Sequence, residues 1–151
     1  MVSVFLFMEK IMAYSGFLIK IGNYEFPRKY IQAQSYVVGR YGQDLDSTRD
    51  ADGNLQRNAL DNFLPKVEFT TVPMLTNTEF ANIMSKISEN YVNATEKKAL
   101  ATIYIPETDS YMTQYVYVPD IEPTMYYADD KVIKYNPIRF AFIGYGKGVG
   151  A

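Results

Sequence analysis

Cysteine, histidine and tryptophan are all missing from the 151 residues. Without Cys or His the chain cannot assemble a Cys/His zinc site, a thiolate nucleophile, a Ser-His-Asp triad or an imidazole general base. Most hydrolytic chemistry is excluded on that ground. Disulfides are excluded too, so robustness outside a cell would have to come from packing or assembly. Net charge is also scarce, since Lys+Arg 15 against Asp+Glu 17 leaves −2. A bulk electrostatic hold on nucleic acid or an anionic membrane needs a basic excess on one face, and neither partner is favoured. The apolar run at the amino end, Val2 to Met8, is far shorter than the roughly 20 residues that span a bilayer. It also lacks the basic start and small-residue cleavage site of a secretion signal.

What is present fits one globular domain. Hydrophobic residues make up 48% and charged residues 21%, and a chain of this length removes roughly 68–70% of its unfolded surface from water. The aromatic stock is unusual in kind, with 14 Tyr and 9 Phe. Tyr pairs an apolar body with a polar tip and suits strands that are half buried or that face another subunit. An ordinary Tyr-rich sheet is the plainer of these readings. Residues 1–11 stand apart, because Met12-Ala13-Tyr14-Ser15-Gly16 resembles a more usual start. They are expected to be an upstream start or an added arm, or else an apolar segment that docks on a neighbouring subunit.

Along the chain the signals are mostly those of strands. Gly16 to Ile21 is β-prone, and Gly22-Asn23 suits a tight turn before Tyr24, Glu25 and Phe26. Tyr30 to Val38 reads as extended up to Gly39. Val67, Phe69 and Thr71 alternate with Lys66, Glu68 and Thr70 as a half-buried strand requires, and Pro73 ends it. Thr76 followed by Glu79 is a capping box, and Phe80, Ile83, Met84, Ile87 and Tyr91 recur on one helical face. Asn82, Ser85, Lys86 and Glu89 make the opposite, polar face. Leu100 to Ile105 and Tyr111 to Val118 flank Pro106-Glu107-Thr108-Asp109-Ser110 and should pair as a hairpin. A second hairpin is expected around Asp129-Asp130, and Ile138, Phe140 and Phe142 mark the apolar side of a closing strand. The order predicts an α+β, mainly β fold: an antiparallel β-sandwich or split barrel with one packed amphipathic helix.

Chemical motifs mostly fail on inspection. Asp50, Asp52, Gly53 and Asn54 match part of a calcium loop, but Thr48 and Ala59 stand where its first and last ligands belong. Gly144 to Gly150 resembles a phosphate loop only in composition, and residues 146–151 read as a flexible Gly-rich tail. Asn93-Ala94-Thr95 matches a glycosylation sequon, which matters only in a secretory context. Glu107 with Asp109, and Asp129 with Asp130, fall where solvated turns are expected. No catalytic, metal or cofactor-binding residues are assigned.

Residues 39–64 resist assignment as helix or strand, and a segment of that length is either functional or an extended hairpin. Asp52-Gly53 is a two-residue turn signal, and folding about it would place Arg49 opposite Gln56, Thr48 opposite Arg57 and Asp50 opposite Leu55. Arg57 would lie diagonal to Asp46 and Asp50. A polar hairpin of this kind has little core of its own, and Arg49 and Arg57 suit bidentate pairing with carboxylates of another chain. A solvated, mobile loop is the competing expectation.

The run Ser47-Thr48-Arg49, Gly53-Asn54-Leu55-Gln56-Arg57, then a strand ending at Pro73, a helix, and a Tyr/Val strand entering Pro119-Asp120-Ile121-Glu122-Pro123 resembles an uncharacterised family of tail-cluster proteins. That family is encoded by long-tailed bacteriophages and prophages of Gram-positive bacteria, and the likeness spans about residues 14–145. The family's usual Trp residues are replaced here by Phe or Tyr. The element order is also similar to that of phage tail tube subunits and of the first domain of distal tail proteins. The resemblance implies a non-enzymatic structural tail protein, as tube, distal or other minor component, with a tail-tube-like domain over 12–145. By the same implication it would form a hexameric or trimeric ring, assemble in the host cytoplasm into virions, contact other tail proteins and meet DNA only in a lumen. Asp46, Arg49, Asp50, Gly53 and Arg57 would then form the contact hairpin. Two alternatives from other classes stay open: a monomeric ligand- or carbohydrate-binding β-barrel, and an enzyme acting through paired carboxylates.

Overall fold

The computed structural model describes residues 13–44, 48–57 and 59–148. The amino-terminal residues 1–12 lie outside that set. The fold is mainly β with one helix, and its main sheet is antiparallel throughout.

That sheet starts with β1 (Ile19–Ile21) and β2 (Tyr24–Glu25), joined by the Gly22-Asn23 turn that the sequence indicates. β3 (Val37–Asp44) pairs with β6 (Ala59–Thr70), β9 (Lys98–Ile105) with β10 (Ser110–Tyr117), and β13 (Arg139–Gly148) lies between β10 and β6. The strand order is β2-β1-β9-β10-β13-β6-β3, and the short β8 (Tyr91–Asn93) also pairs with β9. A smaller sheet runs β11 (Met125–Ala128), β12 (Ile133–Tyr135), β7 (Leu75–Thr76), while β4 (Thr48–Arg49) and β5 (Leu55–Gln56) form a two-stranded tip.

Period-two burial explains why this sheet forms. On β9, Ala99, Ala101, Ile103 and Ile105 are buried while the intervening residues are half-exposed. Val67 and Phe69 from β6 and Phe140 and Phe142 from β13 join them on the inner face. Phe69 stacks on Phe140 at 5.6 Å between ring centroids, and Phe26 meets Phe69 edge-on at 5.0 Å. Each such buried ring contributes roughly 1.5–3 kcal/mol through the water it sheds. The sheet curls until Arg40 of β3 reaches Glu107 in the β9–β10 turn at 3.8 Å, and Tyr36 donates to Leu18 O at 3.4 Å. Burial, and secondarily Tyr111, push the Tyr36 hydroxyl far above the usual phenol range, which keeps it a neutral donor. Since β2 and β3 lie at the two ends of the strand path and, among the described residues, do not pair with each other, the architecture is the split barrel of the two expected forms.

The helix α1 (Asn77–Glu89) covers this core. Thr76 and Glu79 close both halves of the capping box, satisfying two N–H groups that a first turn leaves orphaned. Ile83 and Ile87 are buried, and Phe80 packs edge-on against Tyr135 and Phe140. At the other end Asn90 donates to Lys86 O and accepts from Asn23 N, tying the helix to the β1–β2 turn.

Four boundaries differ from the sequence reading. Tyr30 closes a 3-10 turn (Arg28–Tyr30), and the extended strand begins only at Val37 and runs on through Gly39 to Asp44. The segment 39–64 is therefore largely ladder rather than loop, which is the extended-hairpin option. Tyr91 opens β8 and does not sit on the helix. Residues 146–148, expected to begin a flexible tail, belong to β13, and Gly144 is small for a packing reason: a Cβ there would lie 2.6 Å from Pro65 Cδ.

Candidate functional site

Two hairpins extend past the packed core, and they are built differently. In the first, β6 leaves the main sheet at Pro65. Proline has no N–H to give a neighbouring strand, and the pairing of β6 with β13 stops at Lys66 opposite Ile143. Beyond that point β3 and β6 pair only with each other, through a bulge between Gly42 and Gln43, to Asp44 opposite Ala59. Side chains hold the base of this ladder. Gln114 Nε2 donates to Phe63 O at 3.0 Å, and the Arg40 guanidinium lies 4.4 Å from the Phe63 ring centroid. Arg40 Nε and Gln114 Oε1 are buried there without partners.

At the tip, the pairing is Thr48 opposite Gln56 and Arg49 opposite Leu55, one residue away from the expected register. The cause is Asp50. Its Oδ1 accepts from the N–H groups of Asp52 and Asn54, its Oδ2 accepts from Gln56 Nε2, and its own C=O accepts from Gly53 N at 3.0 Å. The turn therefore starts at Asp50 and ends on Gly53, whose φ of 85° is one that glycine adopts without strain. Arg49 Nη1 donates to Gly53 O at 2.9 Å. Of the expected contact residues, Arg49, Asp50 and Gly53 are thus brought together, but to close their own turn. Arg57 follows β5 and is exposed, and Asp46 lies outside the described residues.

The second hairpin is β11–β12. The sequence points to its turn, and Asp129 Oδ1 indeed accepts from Lys131 N and Val132 N while Oδ2 accepts from Tyr127 OH. These donors, the backbone pair foremost, hold the Asp129 carboxyl below its ordinary range. What sequence reasoning missed is how β11 sits: the hairpin around Asp129-Asp130 was expected, but not that its first strand would be exposed. All four of its residues are exposed, including Met125 at 58%, Tyr126 at 60% and Tyr127 at 47%. A strand in a sheet normally buries alternate residues; this one buries neither side. The available signal was Met-Tyr-Tyr-Ala, which has no polar face, just after Pro119 and Pro123.

Elsewhere the carboxylates are engaged singly rather than in facing pairs. Glu68 accepts from Arg139 Nε at 2.7 Å, Asp120 from Lys97 Nζ at 2.8 Å, Asp109 from Tyr104 OH and Glu96 from Tyr145 OH. The Arg139 and Lys97 hydrogen bonds lower the Glu68 and Asp120 pKa values, respectively. Asn93 of the sequon bonds Glu96 through its own side-chain nitrogen. No group of three or more acidic residues among the described residues could hold a metal ion. Phe26, Phe69, Phe140 and Phe142 are all buried in the core that the sheet encloses. No helix among the described residues is long and apolar enough to cross a membrane.

The model of a family of unknown function, DUF6711, matches residues 12–145. The chain belongs to that family. No curated protein sequence matches it. Among solved structures, a chain in the tail of an empty GTA particle, refined helically with C6 symmetry, is similar over 89% of this chain and 96% of its own. The identity is 12% and the TM-score 0.46. A chain from the virion of a native gene transfer agent particle is similar over the same shares, at 11% identity and a TM-score of 0.49.

Proposed function

We propose that this protein is a structural subunit of a phage-type tail, which works by fitting against copies of itself and sibling tail proteins and makes or breaks no covalent bond. The observation that carries this reading is β11. A strand presenting Met125, Tyr126 and Tyr127 to solvent, on a body whose own core is closed, is what a subunit looks like before its neighbours cover it. The Ser47 to Arg57 motif and the element order, with their resemblance to tail-cluster proteins, give that assembly its setting. A ring of six or three copies, placed in the tube, at its distal end or in a minor position, is the arrangement this reading takes, with DNA passing through its lumen. Residues 12–145 act as the ring-forming domain, and the 48–57 tip reaches the next subunit or ring with Arg49, Asp50, Gly53 and Arg57 on it.

The test is made in the native phage or prophage. Mass spectrometry of purified particles is expected to find the protein in tails, and deletion of its gene to yield particles without complete tails. Normal tails after deletion, or absence of the protein from particles, would overturn the reading.

A further inference from the structure

One step in the tip of the first hairpin is chemically fragile. The sequence holds a single Asp-Gly step, Asp52-Gly53, and no Asn-Gly step. Glycine has no side chain to shield its nitrogen, which can attack the carboxyl of the aspartate before it. In that reaction the Gly53 nitrogen bonds to Asp52 Cγ, and the hydroxyl of the protonated carboxyl leaves as water with the nitrogen's proton. Water then reopens the five-membered imide. Opening at the former backbone carbonyl leaves the chain running through Asp52 Cβ, at unchanged mass and with one extra atom in the turn.

Asp52 and Gly53 are both exposed, so water reaches them freely. The backbone nevertheless stands against the attack. Gly53 N donates to Asp50 O at 3.0 Å with neither Ala51 nor Asp52 at positive φ, which makes a type I turn and sets the Asp52 ψ near 0°. To meet its neighbour's Cγ, the Gly53 nitrogen must swing about the Asp52 Cα–C bond, and that swing breaks the bond to Asp50 O. The Asp50 side chain braces both flanks of this peptide: its Oδ1 accepts from Asp52 N at 3.0 Å and from Asn54 N at 2.9 Å. We propose that Asp52 is the chain's site of backbone isomerisation and that Asp50 is the residue that holds it in check. Asp50 does so as an oxygen acceptor that fixes a peptide plane, and its charge is not required. The isomer would carry an added atom between the paired residues Arg49 and Leu55, so the turn could no longer close on Asp50. This role belongs to the chain alone and stands apart from the tail reading.

The test ages the full-length protein, folded, at neutral pH. Trypsin cuts after Arg49 and Arg57 and releases residues 50–57, in which isoaspartate is quantified by enzymatic methylation and located by electron-transfer fragmentation. Asp50→Ala is expected to form isoaspartate about tenfold faster than the unmodified chain, the shift that goes with about 1.4 kcal/mol lost from two exposed hydrogen bonds. Asp50→Asn, which keeps an accepting oxygen without the charge, should stay close to the unmodified rate. Asp52→Glu, whose imide would need a six-membered ring, should remove the signal even when combined with Asp50→Ala. In urea, where the turn is gone, the unmodified chain and Asp50→Ala should react alike. Equal rates for the two folded proteins would overturn the proposal, as would Asp50→Asn reacting as fast as Asp50→Ala. Isoaspartate persisting after Asp52→Glu would move the site elsewhere, and a rate difference that survives in urea would trace the effect to neighbouring side-chain chemistry rather than to the turn; either result sinks it.

Discussion

The two hairpins spend their side chains in opposite ways. The tip of the first turns the side chains of Arg49, Asp50 and Gln56 on itself: Asp50 accepts from two backbone N–H groups and from Gln56, and Arg49 closes on Gly53 O. The second uses Asp129 to close its turn but leaves Met125 and Tyr126 exposed on a strand that buries neither of them. Polar groups satisfied within a turn fix its shape and gain little from a partner, whereas exposed apolar surface gains roughly 25 cal/mol per Å² once covered. Charge in a projecting hairpin is therefore a weaker sign of an interface than bare apolar residues in a strand.

That contrast can be broken or sharpened in order of effect. The largest is expected from Met125→Asp with Tyr126→Asp, which should abolish incorporation into particles while leaving the melting temperature of the isolated chain nearly unchanged. A large fall in melting temperature would mean that β11 packs on its own body. Next is Gln114→Leu, which removes the donor to Phe63 O. Leaving that carbonyl unpaired costs about 1–3 kcal/mol, less what is recovered by deleting the buried, partnerless Oε1. Hydrogen exchange should quicken in residues 59–64 and not in β9. A smaller change follows Asp50→Ala, about 0.5–1.5 kcal/mol for each exposed bond at most, read as faster tryptic cleavage after Arg49 and Arg57. Unchanged cleavage would show that the tip does not depend on its carboxylate.

The smallest effect is that of acid. Asp129, Glu68 and Asp120 all have folded-state pKa values held below the ordinary carboxylate range. Their contribution is present above the unfolded value and disappears as pH falls through the folded one. Lowering the pH below the ordinary carboxylate range should loosen the β11–β12 turn with little loss of global stability, because these groups are exposed and their interactions are screened by solvent. Chemical shifts of the Lys131 and Val132 amides would follow it, and amides that do not titrate would remove Asp129 from its role.

Much of the fold was legible because the deciding interactions are local. The Thr76–Glu79 box, the alternation along β9 and β13, and the Gly22-Asn23 turn each lie within a few residues of one another in sequence. Gly39 misled because glycine punctuates most chains, whereas here it lies inside β3, paired with Lys66. The tip register was missed by one residue because Asp50, not the Asp52-Gly53 pair, begins the turn. The clearest surface, β11, could not be read from periodicity at all. Periodicity reports which side chains a chain buries in itself, and none from Met125 to Ala128 is buried.

Pro65 separates the first hairpin from the fate of the barrel. Since pairing of β6 with β13 stops at Lys66, changes in length or sequence farther out reach the Phe69–Phe142 stack only along the β3–β6 ladder and not through β13. Relatives should accordingly diverge first, and gain or lose residues most freely, beyond that proline, so that one shared chassis can be fitted to differently shaped neighbours.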